Sequence, residues 1–440
     1  MTMEIRLAEW ECSSTDDPRL LGCHFDEHPQ LRPVVSKLAQ KGQLNVQELR
    51  TGLLIEAYAH VGRLDLGTCS VVIEPKLPMP LFLRLLQFAY GFRKVELFDG
   101  TQHQLASKGL QELLILQLLD EAGHIIARGM RRTYRREQEP LSAPRGKMLF
   151  KSLANARGWG NAELECAYHD RSANNALNRA LLNGLELAAR TTNDVTLRAR
   201  AKRMAVLLIE EVDQERLDVR NLHKLHKQLD RQSQHYGNAL QLIQLLFGGT
   251  GVVLGEAESS QMLIPGFLFD MNRFYQALLS RFLHTFLKDY EVLDEESIKG
   301  MFSYRSNRSK GPRPRPDFIV LSNGEVVGVF DAKYRDLANK SLPREMLYQL
   351  SIYALSGLGP GKRAIILYPS VTGTRPDEVI SINDPLTGSQ LGEVVLRSVD
   401  LIAMEAVINE ADPFPRRRRG IELARELIYG QPANAEREAA

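Results

Sequence analysis

Two short apolar runs separated by a turn signal stand out in the last third of the chain. Residues 318–321 and 326–330 are mostly β-branched or aromatic, and Asn323 and Gly324 lie between them. Apolar runs around an Asn-Gly pair are typical of a β-hairpin, because both residues readily take the positive φ angles of a tight turn. The pattern therefore predicts two paired strands joined by a short turn.

Acidic residues stand at both ends of this hairpin. Asp317 directly precedes the first run, and Asp331 and Lys333 follow the second. Alternate residues of a strand point to the same face, so Asp331 and Lys333 share one side of the sheet. A strict two-residue turn would put Asp317 on the other side. We therefore predict an odd-length loop or a bulge at 323–325, which brings the carboxylates opposite each other at roughly 4.5–5.5 Å between Cβ atoms.

Two carboxylates at that separation can share a divalent cation. Hydrolysis of a phosphodiester needs charge neutralisation and a nucleophile made from water, and Mg²⁺ held by carboxylates supplies both. A lysine on the same face can orient the water and stabilise the developing charge. The sequence thus favours a phosphodiesterase site made of Asp317, Asp331 and Lys333. The alternative is a structural Asp-Lys pair that caps the hairpin.

A basic segment precedes this site. The sixteen residues before Asp317 contain no acid. They carry five cations, which are Arg305, Arg308, Lys310, Arg313 and Arg315. Positive charge at this density suits a polyanion such as DNA, so we expect these side chains to bind the substrate.

The periodicity of the whole chain predicts an α+β multidomain protein. At 440 residues the chain is too long for one ordinary core. Short apolar strands mix with a few helices in an N-terminal, β-rich region, 1–170. Mostly helical spacing follows in a middle region, 171–255, which ends in a glycine-rich segment. The C-terminal domain, 256–440, contains the hairpin.

Three further elements are predicted around the hairpin. We expect helices over 267–283 and 343–356 and a strand over 364–368. On the second helix, Gln349 and Tyr353 are four residues apart and share a face.

Composition excludes several other classes of protein. The net charge of +2 carries no signal of its own, and the four cysteines are scattered, as in proteins of a reducing compartment. No P-loop motif occurs, since Gly359-Pro-Gly-Lys362 lacks the first glycine and the following hydroxyl residue. No signal-peptide pattern or membrane-spanning apolar run is present, so we expect a cytoplasmic protein without a membrane partner.

The motif residues resemble a known nuclease pattern. Pro316-Asp317, Asp331-Ala-Lys333 and the downstream Gln349 are similar to the PD-(D/E)XK motif of RecB-like nucleases. The wider context resembles the McrC family of McrBC-type modification-dependent restriction systems. The residues that carry this second resemblance are Ile73–Lys76, Arg145–Lys147, Asn174–Asn178, His235-Tyr236, Phe267–Asn272, Arg315–Asp317 and Phe330–Tyr334.

The resemblance implies a restriction-endonuclease-like α/β fold for the C-terminal domain and an Mg²⁺-dependent endodeoxyribonuclease. Asp317 and Asp331 would bind Mg²⁺, Lys333 would be the catalytic lysine, and Gln349 would be an accessory active-site residue. Related nucleases often add a glutamate from the preceding helix. Gln276 stands at that position here, and a neutral amide binds a cation more weakly than a carboxylate.

The resemblance also implies a partner, an AAA+ GTPase hexamer of the McrB type. That partner would bind GTP, act with this chain on modified double-stranded DNA in phage defence, and have its GTP hydrolysis stimulated by residues 1–170. Two alternatives remain open. The chain could be a nuclease-like adaptor that only activates the motor, or a stand-alone RecB-like repair nuclease.

Overall fold

The chain forms two compact units. The computed structural model describes residues 3–26, 28–67, 69–92, 109–149, 164–215, 219–249, 266–304, 311–337 and 341–430. The first unit comprises Met1–Val61, Gly67–Lys94 and Asp270–Ala440, and the second comprises Gly62–Leu66 and Val95–Phe269. The architecture is mixed α/β and multidomain, as the sequence predicts.

The elements follow in chain order. The strands are β1 (Met3–Ala8), β2 (Leu44–Leu49), β3 (Gly52–Ala57), β4 (His60–Asp65), β5 (Cys69–Glu74), β6 (Thr133–Leu141), β7 (Lys147–Met148), β8 (Leu164–Ser172), β9 (Gly266–Asp270), β10 (Glu291–Asp294), β11 (Phe318–Ser322), β12 (Glu325–Ala332), β13 (Arg363–Ser370), β14 (Glu378–Asn383) and β15 (Gln390–Asp400). The α-helices are α1 (Arg32–Gln40), α2 (Met79–Tyr90), α3 (Leu110–Arg128), α4 (Ala176–Thr191), α5 (Val195–Ile209), α6 (Val219–Lys227), α7 (Gly237–Gly249), α8 (Met271–Phe286), α9 (Arg344–Leu355), α10 (Leu401–Asn409) and α11 (Pro413–Tyr429).

A six-stranded sheet organises the C-terminal part of the first unit. Its strand order is β10-β11-β12-β13-β15-β14. The hairpin β11–β12 is antiparallel, whereas β12 runs parallel to β13 and β13 runs parallel to β15. Helix α9 packs on the sheet, where Val329, Leu350, Tyr353, Ile366 and Leu396 belong to one buried cluster. The end of β12 therefore lies in the middle of the sheet with a core on its flank.

Three predicted elements of this part are present, with one correction. The hairpin, helix α9 and strand β13 confirm the predictions over 318–330, 343–356 and 364–368. The helix predicted over 267–283 is wrong at its start, because residues up to Asp270 form β9. The Asp270 carboxylate accepts from the backbone N–H of Asn272 and Arg273, which caps α8 and fixes its first turn.

The two units do not follow the three consecutive domains drawn from the sequence. Most of the first 94 residues group with the C-terminal segment rather than with residues up to 170. Apolar packing explains this, since α2 packs against α8 with the Phe82 and Phe274 rings 5.1 Å apart. Arg84 of α2 also pairs with Glu405 of α10. Periodicity marks elements along the chain but does not show which elements pack together.

The second unit contains most of the predicted helical middle region, in helices α4 to α7, and a three-stranded sheet of order β6-β8-β7. Two of the family-like motifs meet there. The buried Tyr236 hydroxyl donates to Asn178 Oδ1 (2.6 Å) and accepts from the backbone N–H of Arg131 (2.9 Å). Asn178 in turn donates to the carbonyl of Ala173 (2.6 Å). These residues thus have a structural role within the unit.

None of the helices in the described ranges is both long and apolar enough to cross a membrane.

Candidate active site

The hairpin turn and a bulge together set the position of Asp317. Asn323 and Gly324 have φ angles of 53° and 82° and form a two-residue turn, with Ser322 paired to Glu325. The odd-length loop or bulge predicted at 323–325 is therefore wrong. The register shifts farther along instead, because Leu321 pairs with Val326 and Val320 with Gly328.

The extra residue, Val327, is a β-bulge that restores the predicted facing of the two acids. Beyond it Phe318 pairs with Phe330, so Asp317 is level with Asp331. The contacts agree with this register, since Asp317 Oδ2 accepts from the backbone N–H of Ala332 at 2.7 Å. The charge of Asp331 is also close enough to raise the pKa of Asp317. The structure thus brings together the two carboxylates that the sequence analysis paired.

Lys333 completes the group of three. Asp331 is 1% exposed, and its Oδ2 lies 2.7 Å from Lys333 Nζ. The backbone N–H of Lys333 donates to the carbonyl of Leu367 on β13 (3.0 Å), which holds the lysine backbone against the sheet. The ammonium is part-exposed and can reach an approaching anion while it stays paired with Asp331.

The pKa values of both acids are raised chiefly by burial. Burial, followed by the neighbouring charge of Asp331, raises the pKa of Asp317 to about 6. Burial also raises the pKa of Asp331, and the Lys333 ammonium opposes that rise. Two carboxylates that repel each other in a poorly solvated place favour any cation that binds both.

Gln276 of α8 lies at this site, between the carboxylates of Asp317 and Glu295. Its Nε2 donates to Asp317 Oδ1 (3.1 Å) and to Glu295 Oε1 (3.3 Å). Because both acceptors are carboxylates, the amide acts as a bridge between them. Gln276 thus supplies a hydrogen-bond donor to Asp317 where a glutamate would add a third negative charge.

Glu295 is a site residue that the sequence analysis missed. It follows β10 with a φ of 51°, which is uncommon for a residue other than glycine. Its backbone N–H donates to the carbonyl of Asp317 (2.9 Å), and its carboxylate pairs with Arg315. The only signal for it in the sequence is the acidic run Asp294–Glu296, and nothing local connects that run to the hairpin.

Gln349 reaches the site through Tyr353. Its Nε2 donates to the Tyr353 hydroxyl (2.7 Å), which donates to the carbonyl of Arg315 (2.9 Å). Burial raises the pKa of Tyr353 to about 12, and the charges of Asp331 and Asp317 contribute to that rise. The two residues that share a helix face in the sequence therefore support the segment just before Asp317.

The predicted basic segment is described only in part. Arg305, Arg308 and Lys310 lie outside the described residues. Arg313 is exposed. Arg315 is half-exposed, but its guanidinium pairs with Glu295 and its Nε donates to the Glu295 carbonyl (2.8 Å). Arg315 thus organises the site, and part of its charge is already neutralised.

The donor set suits Mg²⁺ better than a transition metal. Within the described ranges no three His, Cys, Asp or Glu residues form a metal cluster. Asp317 and Asp331 are oxygen donors, and Mg²⁺ usually takes one or two carboxylates and keeps several waters. Burial raises the pKa of each acid, so a cation bound between them would stabilise the ionised form of both. These two residues would hold the ion.

Comparison with known proteins assigns the chain to a family. The family model described as "McrBC 5-methylcytosine restriction system component" matches residues 49–369. No curated protein matches the chain.

The fold is similar to that of a solved structure from Thermococcus gammatolerans, a refined half-complex from a tetradecameric assembly of McrB AAA+ hexamers with bound McrC. The two are 20% identical, with 97% of this chain and 100% of that chain covered and a TM-score of 0.57. A cryo-EM structure of the T. gammatolerans McrBC complex is 19% identical, covers 66% of this chain and 89% of that chain, and has a TM-score of 0.45. The family match spans well over half of the chain and confirms the resemblance carried by the motifs. The chain belongs to the McrBC family of 5-methylcytosine restriction system components.

Proposed function

We propose that this chain is the Mg²⁺-dependent DNA endonuclease subunit of a McrBC-type restriction complex, with a PD-(D/E)XK domain in its C-terminal part. The observation that carries the proposal is the placement of Asp317, Asp331 and Lys333 together at the end of a central strand. The mixed six-stranded sheet and the flanking helices α8 and α9 are compatible with that fold.

The chemistry can be divided among the three residues. Mg²⁺ bound by the two aspartates would lower the pKa of a bound water and neutralise charge on the phosphate. Lys333 holds a proton on Nζ, which can donate to the attacking water or to a phosphate oxygen. Asp331 keeps that ammonium in place through the 2.7 Å ion pair. Water would then attack phosphorus and release one proton to solvent, the P–O bond to the leaving group would break, and the leaving oxygen would take up a proton.

Gln276 and Gln349 act as supports in this scheme. Gln276 donates to Asp317 and so stabilises its ionised form, which is the form that binds a cation. Gln349 orients Tyr353, which in turn holds the Arg315 backbone next to Asp317. We propose that the basic side chains 305–315 bind the DNA backbone.

The partner is proposed to be an AAA+ GTPase hexamer of the McrB type. The family description names a 5-methylcytosine restriction system, and the similar T. gammatolerans structure is a complex of McrB hexamers with McrC. The sequence lacks a P-loop, so GTP would bind the partner and not this chain. Residues 1–170 are proposed to engage the hexamer and stimulate GTP hydrolysis, and the substrate is double-stranded DNA that carries modified cytosine.

The test reconstitutes the chain with its AAA+ partner, GTP and Mg²⁺ and measures cleavage of a 5-methylcytosine plasmid together with GTP hydrolysis. We expect Asp331→Asn and Lys333→Ala to lower cleavage by roughly 10²- to 10³-fold and to leave stimulation of GTP hydrolysis intact. The exposed Asp289→Asn is the matched control and should cleave normally. Wild-type cleavage by Asp331→Asn would contradict the assignment.

The replacement of a glutamate by Gln276 favours one alternative, an inactive nuclease-like adaptor that only activates the motor. That function predicts stimulated GTP hydrolysis without any Mg²⁺-dependent nicking by the wild-type pair. Efficient cleavage by the chain without its partner would instead support a stand-alone nuclease. The same reconstitution therefore separates the three functions.

A further inference from the structure

A basic pocket lies between the end of α8 and the start of α11, outside the candidate active site. Its volume is about 390 Å³, and all the residues that line it belong to the first unit. Three cations line it, Lys288, Arg416 and Arg417, and none of the described lining residues is acidic. Apart from the hydroxyl of Thr285, the rest of the lining is apolar. The proposed cleavage reaction uses none of these groups.

Close packing of the two helices fixes the walls of the pocket. Gly420 of α11 is buried, and a Cβ at this position would clash with the ring of Phe286 at the end of α8. The helices therefore touch directly at this point. The Asp412 carboxylate accepts from the backbone N–H of Phe414 (2.9 Å), which caps the first turn of α11. The backbone that carries the arginines is thus held opposite the end of α8.

The three cations of the pocket form no ion pair with any residue in the described ranges. The next two arginines of α11 differ, since Arg418 Nε lies 3.5 Å from Glu422 Oε1 and Arg419 Nη1 lies 3.7 Å from Glu410 Oε2. Arg416 is half-buried, so its guanidinium has lost part of its hydration without gaining a carboxylate. Like charges that line one pocket also repel each other, and an anion between them would remove that repulsion.

The lining and the volume define the class of ligand. Guanidinium and ammonium groups are the side chains that bind phosphate. A cavity of about 150 Å³ takes a benzene ring, so a pocket of about 390 Å³ admits a phosphate together with an attached sugar. The Thr285 hydroxyl already donates to the carbonyl of Arg281 (2.6 Å), and the described lining has no carboxylate or amide that would select a base. The pocket therefore suits a phosphodiester of any sequence.

The pocket and the candidate active site share helix α8. Gln276 donates to Asp317, and Phe286 follows ten residues later, about 15 Å farther along the helix axis. B-DNA rises by about 3.4 Å for each base pair, so this distance corresponds to about four base pairs. A duplex with one phosphate near Asp317 therefore has other backbone phosphates within reach of the pocket.

We propose that this pocket binds a backbone phosphate of double-stranded DNA, a few base pairs from the cut, through Lys288, Arg416 and Arg417. The proposal rests on the proposed nuclease function for the identity of the ligand. The basic side chains 305–315 directly precede Asp317, whereas the pocket lies at the far end of α8. A second contact on the same duplex would fix the direction in which the DNA crosses the site, because a single contact region leaves the duplex free to rotate.

The salt dependence of DNA binding tests the proposal. The full-length chain is titrated in EDTA against a fluorescein-labelled, unmodified duplex of about three helical turns, at KCl concentrations from about 50 to 200 mM, and anisotropy reports binding. The logarithm of the affinity falls with the logarithm of the salt concentration, with a slope of about −0.9 for each phosphate contacted. Arg416→Gln combined with Arg417→Gln should weaken binding by about tenfold at the lowest salt concentration and make the slope shallower by about 1 or more.

The same helix offers a matched control. Arg418→Gln combined with Arg419→Gln removes the same two charges but no residue that lines the pocket, so its slope should equal that of the wild type. Lys288→Gln changes the opposite wall and should make the slope shallower, as the Arg416 and Arg417 changes do. Circular dichroism confirms that each variant is folded.

Three outcomes would overturn the assignment. The first is a wild-type chain that does not bind the duplex. The second is an equal loss of slope in the two double variants, which would show a general effect of charge. The third is displacement of the duplex by GTP at constant ionic strength, which would identify a site for a free nucleotide.

The binding assay is independent of cleavage, because EDTA removes Mg²⁺ and no partner is present. A chain that binds DNA through this pocket but never cuts it with its partner would refute the proposed nuclease and leave the pocket standing. A chain that cuts DNA, and whose Arg416→Gln/Arg417→Gln variant keeps the wild-type slope, would refute only the pocket.

Discussion

At the scale of single residues, the proposed metal site is sensitive to protons. The folded-state pKa of Asp317 is about 6, above its ordinary value of 3.8. A carboxyl whose pKa is raised on folding stabilises the fold at low pH, where it is protonated. That contribution is lost as the pH rises from about 4 through about 6.

Asp317→Asn should therefore stabilise the metal-free chain at neutral pH. In EDTA at pH 7 we expect the variant to unfold at a higher temperature than the wild type. Its free energy of unfolding should be larger by at most about 3 kcal/mol. At pH 4 the difference should vanish, because Asp317 is then protonated. Mg²⁺ should raise the melting temperature of the wild type and not of the variant. A variant that is no more stable than the wild type at pH 7 would show that burial and the charge of Asp331 do not destabilise the ionised Asp317.

A second prediction at this scale concerns Gln276. Gln276→Glu would place a third carboxylate between Asp317 and Glu295, where the amide now donates to both. Repulsion should lower the free energy of unfolding in EDTA by about 1–2 kcal/mol, and a third ligand should let Mg²⁺ reverse that loss. Calorimetric melting with and without Mg²⁺ measures both effects. Gln30→Glu, at an exposed position, is the control. A loss that Mg²⁺ does not reverse would mean that position 276 cannot reach the ion.

At the scale of elements, the bulge in β12 decides which residues face each other. Val327 is the extra residue, and the next residue, Gly328, lies under the ring of Phe330. A Cβ at Gly328 would come within 2.4 Å of two ring carbons. The missing side chain of Gly328 thus leaves room for the ring of Phe330, the residue that precedes Asp331.

Gly328→Ala should consequently displace Phe330 and disturb Asp331. We expect a loss of about 1–3 kcal/mol in the free energy of unfolding, as for other overpacked core positions, and weaker cleavage. Urea denaturation measures the first effect. Gly123→Ala on α3 is the matched control, because its Cβ would meet only the end of Met204 at 3.6 Å and the helix should gain slightly. If both variants were equally stable, the ring would be free to move.

The same strand shows what the sequence can and cannot predict. The sequence predicts the hairpin from the Asn-Gly turn and the apolar runs around it. It also predicts a one-residue shift in strand pairing, because without that shift the acids at the two ends would lie on opposite faces. The position of the offset at Val327 does not, because it depends on how Phe330 packs over Gly328. The place of Glu295 in the site cannot be predicted from the sequence for a similar reason. A backbone hydrogen bond between segments that are distant along the chain holds it next to Asp317.

At the scale of the whole molecule, the first unit is built from both ends of the chain. Its N-terminal helix α2 packs on α8, and Glu9 accepts a hydrogen bond from Tyr334, which follows Lys333 of the candidate active site. Apolar surface on α8 and α10 is therefore covered by residues far away in sequence. Local patterns cannot show such pairing, which is why a division into consecutive segments separates parts that pack together.

This arrangement predicts that the C-terminal segment does not fold stably alone. A fragment of residues 266–440 would expose the face of α8 that packs against Phe82 of α2 in the full chain. Glu405 of α10 would lose Arg84, and Tyr334 would lose Glu9. We expect it to melt without a cooperative transition, whereas the full chain melts cooperatively. Co-expression with residues 1–94 should restore the cooperative transition and let the two pieces co-purify, because together they contain the whole of the first unit. The matched control is co-expression with residues 1–94 that carry Phe82→Ala, which removes a ring from the contact and should weaken the association. A fragment 266–440 that melted cooperatively by itself would show that the N-terminal residues are dispensable for the fold of this segment.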